Sequence, residues 1–265
     1  MNKILMCRPT YFSVSYTINP WMDNNIGKVD QELSTIQWLN LRNTIEDNNY
    51  KILEVNPVKD LPDIVFTANA AVILPNKQVI VSNFKKSQRK NETFYYKEWF
   101  EKNDYTVIDV PNDIAFEGAG DALYDSYGYL WMGNGFRTDS EAVNFVRNNY
   151  RKTFQLNLIN PSFYHLDTCF CPLENGHLIY YPGAFDNNSI DLIYEIFDGK
   201  AIAVSENDAN KFACNAVNLG SKIILNDCSD ELVNKLADIY FEVIKVDMSE
   251  FMKSGGSCKC LTLKI

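Results

Sequence analysis

Four short segments recur at near-constant spacing, and this recurrence limits the folds open to the chain more than any other feature. Phe66-Thr67-Ala68-Asn69, Phe116-Glu117-Gly118-Ala119, Tyr164-His165-Leu166-Asp167 and Phe212-Ala213-Cys214-Asn215 begin with aromatic residues 50, 48 and 48 positions apart. A period of that length marks one supersecondary unit used several times. Each segment precedes two short apolar runs joined by turn residues. Ala71–Leu74 and Gln78–Ser82 flank Pro75-Asn76-Lys77, and Ala122–Tyr124 and Tyr129–Met132 flank Asp125-Ser126-Tyr127-Gly128. Phe170–Leu173 and His177–Tyr181 flank Glu174-Asn175-Gly176, and Ala216–Leu219 and Lys222–Asn226 flank Gly220-Ser221. These read as four hairpins, the Asn-Gly turn most strongly.

Between hairpins the apolar period becomes helical, over Val29–Asp47, Asn91–Lys102, Ser140–Arg151, Ser189–Phe197 and Asp230–Tyr240. Each helix leads into an extended run: Lys51–Val55, Thr106–Val110, Phe154–Ile159, Ala201–Val204 and Phe241–Val246. Five helices with five following strands but only four hairpins leave one unit incomplete, and the chain ends supply it: Lys3–Cys7 and Cys260–Ile265 both read as strands. The expectation is an α/β fold in one catalytic domain, residues 1–265. Five strand-strand-helix-strand units form a pseudo-fivefold α/β propeller, closed by pairing of the N- and C-terminal strands. A Rossmann-type sheet fits poorly, because hairpins interrupt the strand–helix alternation and no Gly-x-Gly-x-x-Gly occurs.

In such a ring, equivalent points of every unit face one axis. Asn69, Glu117, His165 with Asp167, Asn215 and Cys260 are therefore expected to converge. A thiol, an imidazole, carboxylates and amides at one point form a catalytic inventory, since a nucleophilic Cys needs a partner base within hydrogen-bond reach. Singly, each has a blander explanation: Cys260 as a small buried hydrophobe, His165 as a packed histidine, Glu117-Gly118-Ala119-Gly120-Asp121 as a glycine-rich bend. Gly255-Gly256 just before Cys260 favours close approach of a ligand to the backbone. His-x-Asp spacing on a strand would put His165 and Asp167 on one face. His177, in the second strand of its hairpin, receives no role.

Composition narrows the partners. The 25 basic against 34 acidic residues give a net charge of −9, which repels phosphate backbones and attracts a small cation; nucleic acid is not an expected partner. No apolar run approaches the ~18 residues of a membrane span, and the opening Met1–Pro9 stretch is too short in apolar residues for a signal peptide. Seven cysteines without an export signal point to reduced thiols and a cytoplasmic setting. Cys169-x-Cys171 and Cys258-x-Cys260 lack the two-to-four-residue spacing and flanking turns of structural zinc sites, so neither a metal nor a cofactor is expected. The oligomeric state is not legible, and a homo-oligomer is compatible with the sequence.

The residues resemble the guanidino-group-modifying enzymes, or penteins, over essentially the whole chain. Pro62-Asp63-Ile64-Val65-Phe66-Thr67-Ala68-Asn69, Phe116-Glu117-Gly118-Ala119-Gly120-Asp121, Tyr164-His165-Leu166-Asp167 and Gly255-Gly256-Ser257-Cys258-Lys259-Cys260-Leu261-Thr262 carry the resemblance. Met6-Cys7-Arg8-Pro9, Ile18-Asn19-Pro20-Trp21-Met22 and the amide at Asn69 look like the arginine dihydrolase branch, which is related to dimethylargininases and arginine deiminases. The resemblance implies Cys260 as nucleophile, His165 as general acid/base, and Glu117 and Asp167 as carboxylates holding a guanidinium. It implies Asp63 in the substrate pocket, Arg137 as clamp for the substrate carboxylate, and Asn19, Asn69 and Arg89 near the substrate. Cys258 departs from the pattern as a second thiol two residues before Cys260.

The implied activity is hydrolysis of arginine to ornithine, carbon dioxide and two ammonia. The alternatives are a citrulline-forming dimethylargininase or deiminase, an amidinotransferase, and a ligand-binding propeller without catalysis.

Overall fold

All four expected hairpins form, and each gains a parallel third strand after its helix. The computed structural model describes residues 2–265. The chain opens with β1 (Lys3–Cys7), α1 (Gln31–Asp47) and β2 (Lys51–Val55). Next come β3 (Ala71–Leu74), β4 (Gln78–Val81), α2 (Glu92–Lys102) and β5 (Thr106–Asp109), then β6 (Ala122–Tyr124), β7 (Leu130–Asn134), α3 (Ser140–Asn149) and β8 (Thr153–Asn157). The third repeat is β9 (Phe170–Pro172), β10 (Leu178–Tyr180), α4 (Asn187–Phe197) and β11 (Ala201–Ala203), followed by a short α5 (Glu206–Asn210). The fourth is β12 (Val217–Leu219), β13 (Lys222–Leu225), α6 (Asp230–Asp238) and β14 (Glu242–Lys245); α7 (Ser249–Met252) and β15 (Leu263–Lys264) end the chain.

These strands form five mixed three-stranded sheets, ordered β3-β4-β5, β6-β7-β8, β9-β10-β11, β12-β13-β14 and β15-β1-β2. In each, the middle strand runs antiparallel to one neighbour and parallel to the other; Ile80 of β4 faces Val72 of β3 and Ile108 of β5. The two chain ends share one sheet, with Ile4 opposite Lys264 and Leu5 opposite Leu263. This is the α/β propeller arrangement expected from the repeat.

Local chemistry explains the helix boundaries. Asp30 accepts hydrogen bonds from the backbone N–H groups of Glu32 and Leu33, so α1 starts at Gln31 rather than Val29. Ser34, Trp38, Leu41 and Ile45 then face inward at helical spacing. Asp186 likewise caps α4 through the N–H of Ser189, so that helix begins at Asn187, two residues ahead of the expected start. Trp131 joins neighbouring units: its ring lies 4.8 Å from Phe154 and 5.4 Å from Phe170 and Phe197, and its indole N–H donates to Asp125.

Two expectations need correction. Cys260 and Leu261 lie in a turn and Thr262 outside any strand, so the terminal strand is only Leu263–Lys264. Asn215 Oδ1 accepts from the N–H groups of Lys259 and Cys260, diverting those donors from any β ladder. His165 and Asp167 also do not share a strand face, because Leu166–Thr168 is a 3₁₀ turn. The same kind of turn follows the aromatic of two other repeats, at Thr67–Ala70 and Gly118–Gly120. Among the described residues no helix is long and apolar enough to cross a membrane.

Trp131→Ala removes a buried ring bridging two units and should cost about 3–5 kcal/mol in urea unfolding. A loss below about 1 kcal/mol, outside the range for such truncations, would contradict this packing.

Candidate active site

The turns after the repeat aromatics, together with the Gly255-Gly256 segment, deliver the expected polar residues to one place. Asn19, Asp63, Asn69, Arg89, Arg137, His165 and Cys260 line a single small cavity. Glu117 and Asp167 sit directly behind it, bonded to His165 and Cys260 respectively. The unoccupied volume is about 10 Å³, room for roughly one water molecule. Gly120 is required at this junction, since a Cβ there would run into the Asn69 amide.

Cys260 is 4% exposed. Its Sγ lies 3.5 and 3.7 Å from the two Asp167 oxygens and 3.1 Å from Asn215 Nδ2, which donates to it. Burial, and then the Asp167 charge, push the thiol well up. Asp167 is itself pushed up to about 7 by burial, against the lowering effects of Lys259, the Cys260 thiol and Asn215. Two buried acids this close share one proton more readily than they lose two. The resting thiol is therefore protonated and directed at the carboxylate.

His165 Nε2 lies 2.8 Å from Glu117 Oε2. Burial lowers the imidazole to about 4 despite that carboxylate. Burial also raises Glu117, but the Arg137 guanidinium and the His165 hydrogen bond outweigh it and hold the carboxylate at about 2. The pair is thus a neutral ring donating its Nε2 proton to a charged carboxylate. Arg137 Nη1 donates to the same oxygen at 3.1 Å, and Nη2 donates to the Ile18 carbonyl. Glu117 is therefore engaged by His165 and Arg137 and does not line the open cavity. Asp167 is bonded to Cys260 and not to the imidazole.

Asp63 does line the cavity. It accepts hydrogen bonds from Tyr16 and Ser254, and burial raises its carboxyl. Arg89 forms a bidentate pair with Glu92 at 2.9 and 2.7 Å and donates to Asn69 Oδ1 at 2.9 Å. Asn19 spends its amide locally: Oδ1 caps Trp21 and Met22, while Nδ2 donates to Tyr164 Oη and the Ser254 carbonyl. Cys258 is buried and does not line the cavity, and burial lifts its thiol to about 12. Of the two neighbouring thiols, Cys260 is the one that opens to the site.

Several participants carry no role in the sequence reading. Asn215, present there only as a converging position, sits three residues after its aromatic, as Asn69 and Asp167 do, and it clamps both the backbone and the sulfur of Cys260. Asp121 orders the His165 turn by accepting from the Leu166 N–H and from Thr138 Oγ1. Glu92 and Ser254 lie outside every repeat motif; the i,i+3 spacing of Arg89 and Glu92 is the one signal that could have found the first, and nothing marks the second. Among the described residues no group of three or more His, Cys, Asp or Glu is arranged to hold a metal ion.

Comparison with known proteins places this chain within a family. The family model for eukaryotic N,N-dimethylarginine dimethylhydrolase matches residues 14–265, and the chain belongs to that family. Among its relatives are the bifunctional arginine dihydrolase/ornithine cyclodeaminases AgrE of Nostoc sp., 46% identical, and ArgZ of Synechocystis sp., 47% identical, each over 99% of this chain. The chain spans 38% and 37% of their lengths. The crystal structure of the N-terminal domain of the cyanobacterial arginine dihydrolase ArgZ, a cysteine-to-serine mutant bound to substrate, superposes with a TM-score of 0.98 at 45% identity. That match covers 100% of this chain and 98% of the other.

The shared proton at Cys260 has a measurable consequence. Alkylation of the Cys260 peptide by iodoacetamide should rise steadily with pH to beyond pH 9, because thiolate is scarce below that. Asp167→Asn removes the neighbouring charge, lowers the thiol pKa and should speed alkylation at pH 8 about tenfold. A rate already at plateau below pH 8, or slowed by that substitution, would contradict the assignment.

Proposed function

We propose that this chain is a cysteine-dependent hydrolase of the guanidino group and that it converts free arginine to ornithine, carbon dioxide and two ammonia, with residues 1–265 acting as one catalytic domain. The observation that carries this is a thiol and a neutral imidazole sharing one buried cavity with Asp63, Arg89 and Arg137. Carboxylates meet a cationic guanidinium, and arginines meet the α-carboxylate of an amino acid. The names of the AgrE and ArgZ relatives support arginine as the substrate.

In this proposal Asp63 and Asp167 receive the guanidinium, while Glu117 orients His165 rather than holding substrate. Asn69 supplies an amide beside the ligand, and Asn19, its own amide already bonded to protein groups, closes the cavity around it. The arriving cation stabilises the Cys260 thiolate that Asp167 alone disfavours. His165 takes up the proton and passes it to the departing nitrogen as the sulfur attacks the guanidinium carbon and ammonia leaves. Water then adds to the S-alkylthiouronium, His165 accepts its proton, and citrulline forms. A second attack on the ureido carbon expels the second ammonia and leaves a thiocarbamate. Its hydrolysis gives a carbamate, which loses carbon dioxide to yield ornithine. Neutral Asn69, in place of a carboxylate, reduces the preference for a cation and leaves the uncharged ureido group acceptable for the second round.

A second reading ends at citrulline, from a methylated arginine or from arginine itself, and the family model that matches the chain favours it. Amidino transfer to an amine acceptor is a further outcome of the same thiouronium. The purified protein incubated with arginine is expected to release two ammonia per ornithine without accumulating citrulline. One ammonia per citrulline would overturn the dihydrolase assignment, and turnover only of methylated arginine would move the substrate. Asn69→Asp should retain citrulline formation and lose at least tenfold in ornithine yield; full ornithine yield in that variant would remove Asn69 from the account.

A further inference from the structure

Tyr164 marks the third repeat in the sequence, yet in the folded chain it joins four parts of the site. Its hydroxyl accepts from Asn19 Nδ2 at 3.2 Å and donates to the Gly255 carbonyl at 2.8 Å. Its ring lies 4.6 Å below the Arg137 guanidinium and 4.8 Å from the His165 ring. Gly255 adopts φ +82°, and a Cβ there would meet Tyr164 Oη, Asn19 Oδ1 and Trp21 together. The segment Ile18–Met22, the tyrosine and the glycine segment before the nucleophile thus meet at one atom-tight junction. Trp21 anchors the far side of that segment, donating to the Ser162 carbonyl at 2.7 Å and packing 4.7 Å from Phe212.

With about 10 Å³ free, the cavity as it stands does not admit an amino acid, and this junction closes one side of it. The Asn19 bonds to Tyr164 and Ser254 cross it, together with the Arg137 bond to the Ile18 carbonyl and the Trp21 bond to Ser162. A guanidinium is held by charge at the catalytic end, but a ureido group is not, so the intermediate keeps only its α-carboxylate contact and its residence depends more on enclosure. We propose that Tyr164 is a positioning residue whose hydroxyl latches the Asn19 segment to the Gly255 carbonyl, retaining the neutral intermediate between the two hydrolytic rounds and so setting the ratio of ornithine to citrulline released. This rests on the dihydrolase reading above. Burial keeps the phenol protonated far beyond physiological pH, so it donates to Gly255 and accepts from Asn19 at once.

Tyr164→Phe keeps the ring beneath Arg137 and removes only the hydroxyl. The test follows labelled arginine in the presence of excess unlabelled citrulline. The expected result is at least a fivefold rise in label recovered as free citrulline, with KM for added citrulline rising more than KM for arginine. Trp21→Phe breaks the Ser162 contact at the other anchor and should shift the partition in the same direction, which decides the matter if the tyrosine variant does not fold. Wild type making ornithine while both variants keep its partition would overturn the latch alone. Wild type releasing only citrulline would overturn the dihydrolase reading and the latch with it.

Discussion

The contact between Cys260 Sγ and the Asp167 carboxylate, 3.5 Å at its nearest, governs the behaviour of the whole site. Both groups are buried and the Lys259 charge only partly offsets that burial, so a thiolate and a carboxylate there coexist poorly without a further cation. In the proposed mechanism such a site is quiet when empty, and the thiolate of the first round forms when a guanidinium arrives. The net charge of −9 favours approach of such a ligand over long range, and the buried pair discriminates at short range. The Asn215 amide fits the same logic: its N–H faces the sulfur and its oxygen takes the backbone N–H of Cys260. The sulfur is thereby held in one place whether or not it is charged.

Around that pair the buried charges come in compensated sets. Arg89 is matched bidentately by Glu92, and Arg137 is matched by Glu117, which also fixes His165. Removing one member of such a pair strands the other in a low-dielectric interior, which typically costs about 3–5 kcal/mol. Arg89 reaches Asn69 and the Asp63 carbonyl as well. The first repeat and its following helix are therefore bound electrostatically to the substrate cavity. Tyr164 extends the network to the Asn19 segment, so opening the site and positioning its groups share the same bonds.

Much of this was legible before the structure, because a 48-residue period forces equivalent positions toward one axis whatever the details of each unit. Asn69, His165 and Cys260 line the cavity for that reason, and Glu117 and Asp167 lie one bond behind them. The hairpins were readable from turn chemistry, as at Glu174-Asn175-Gly176, and the helices from apolar spacing. The turn at Cys260 was not readable: Leu261-Thr262-Leu263-Lys264-Ile265 has strand composition throughout, and the Asn215 amide, 45 residues away, takes the Cys260 N–H while local bonds from Leu261 and Thr262 close the turn. The His165–Asp167 relation failed for a similar reason. A 3₁₀ turn and a strand carry the same His-x-Asp text, and Asp121 selects the turn from another unit. Ser254 acts through Asp63, 191 residues away, and no spacing rule marks it, whereas Glu92 stands at i+3 from Arg89, a spacing that signals an ion pair but not its place in the site.

The central claim is that Cys260, and not its neighbour Cys258, forms the bond to the guanidino carbon. Acid quenching during turnover with arginine, followed by peptide mass spectrometry, tests this directly. The account predicts an adduct of arginine less ammonia on the Cys260 sulfur, absent from Cys260→Ser. An adduct on Cys258, or turnover that survives in Cys260→Ser, would contradict it.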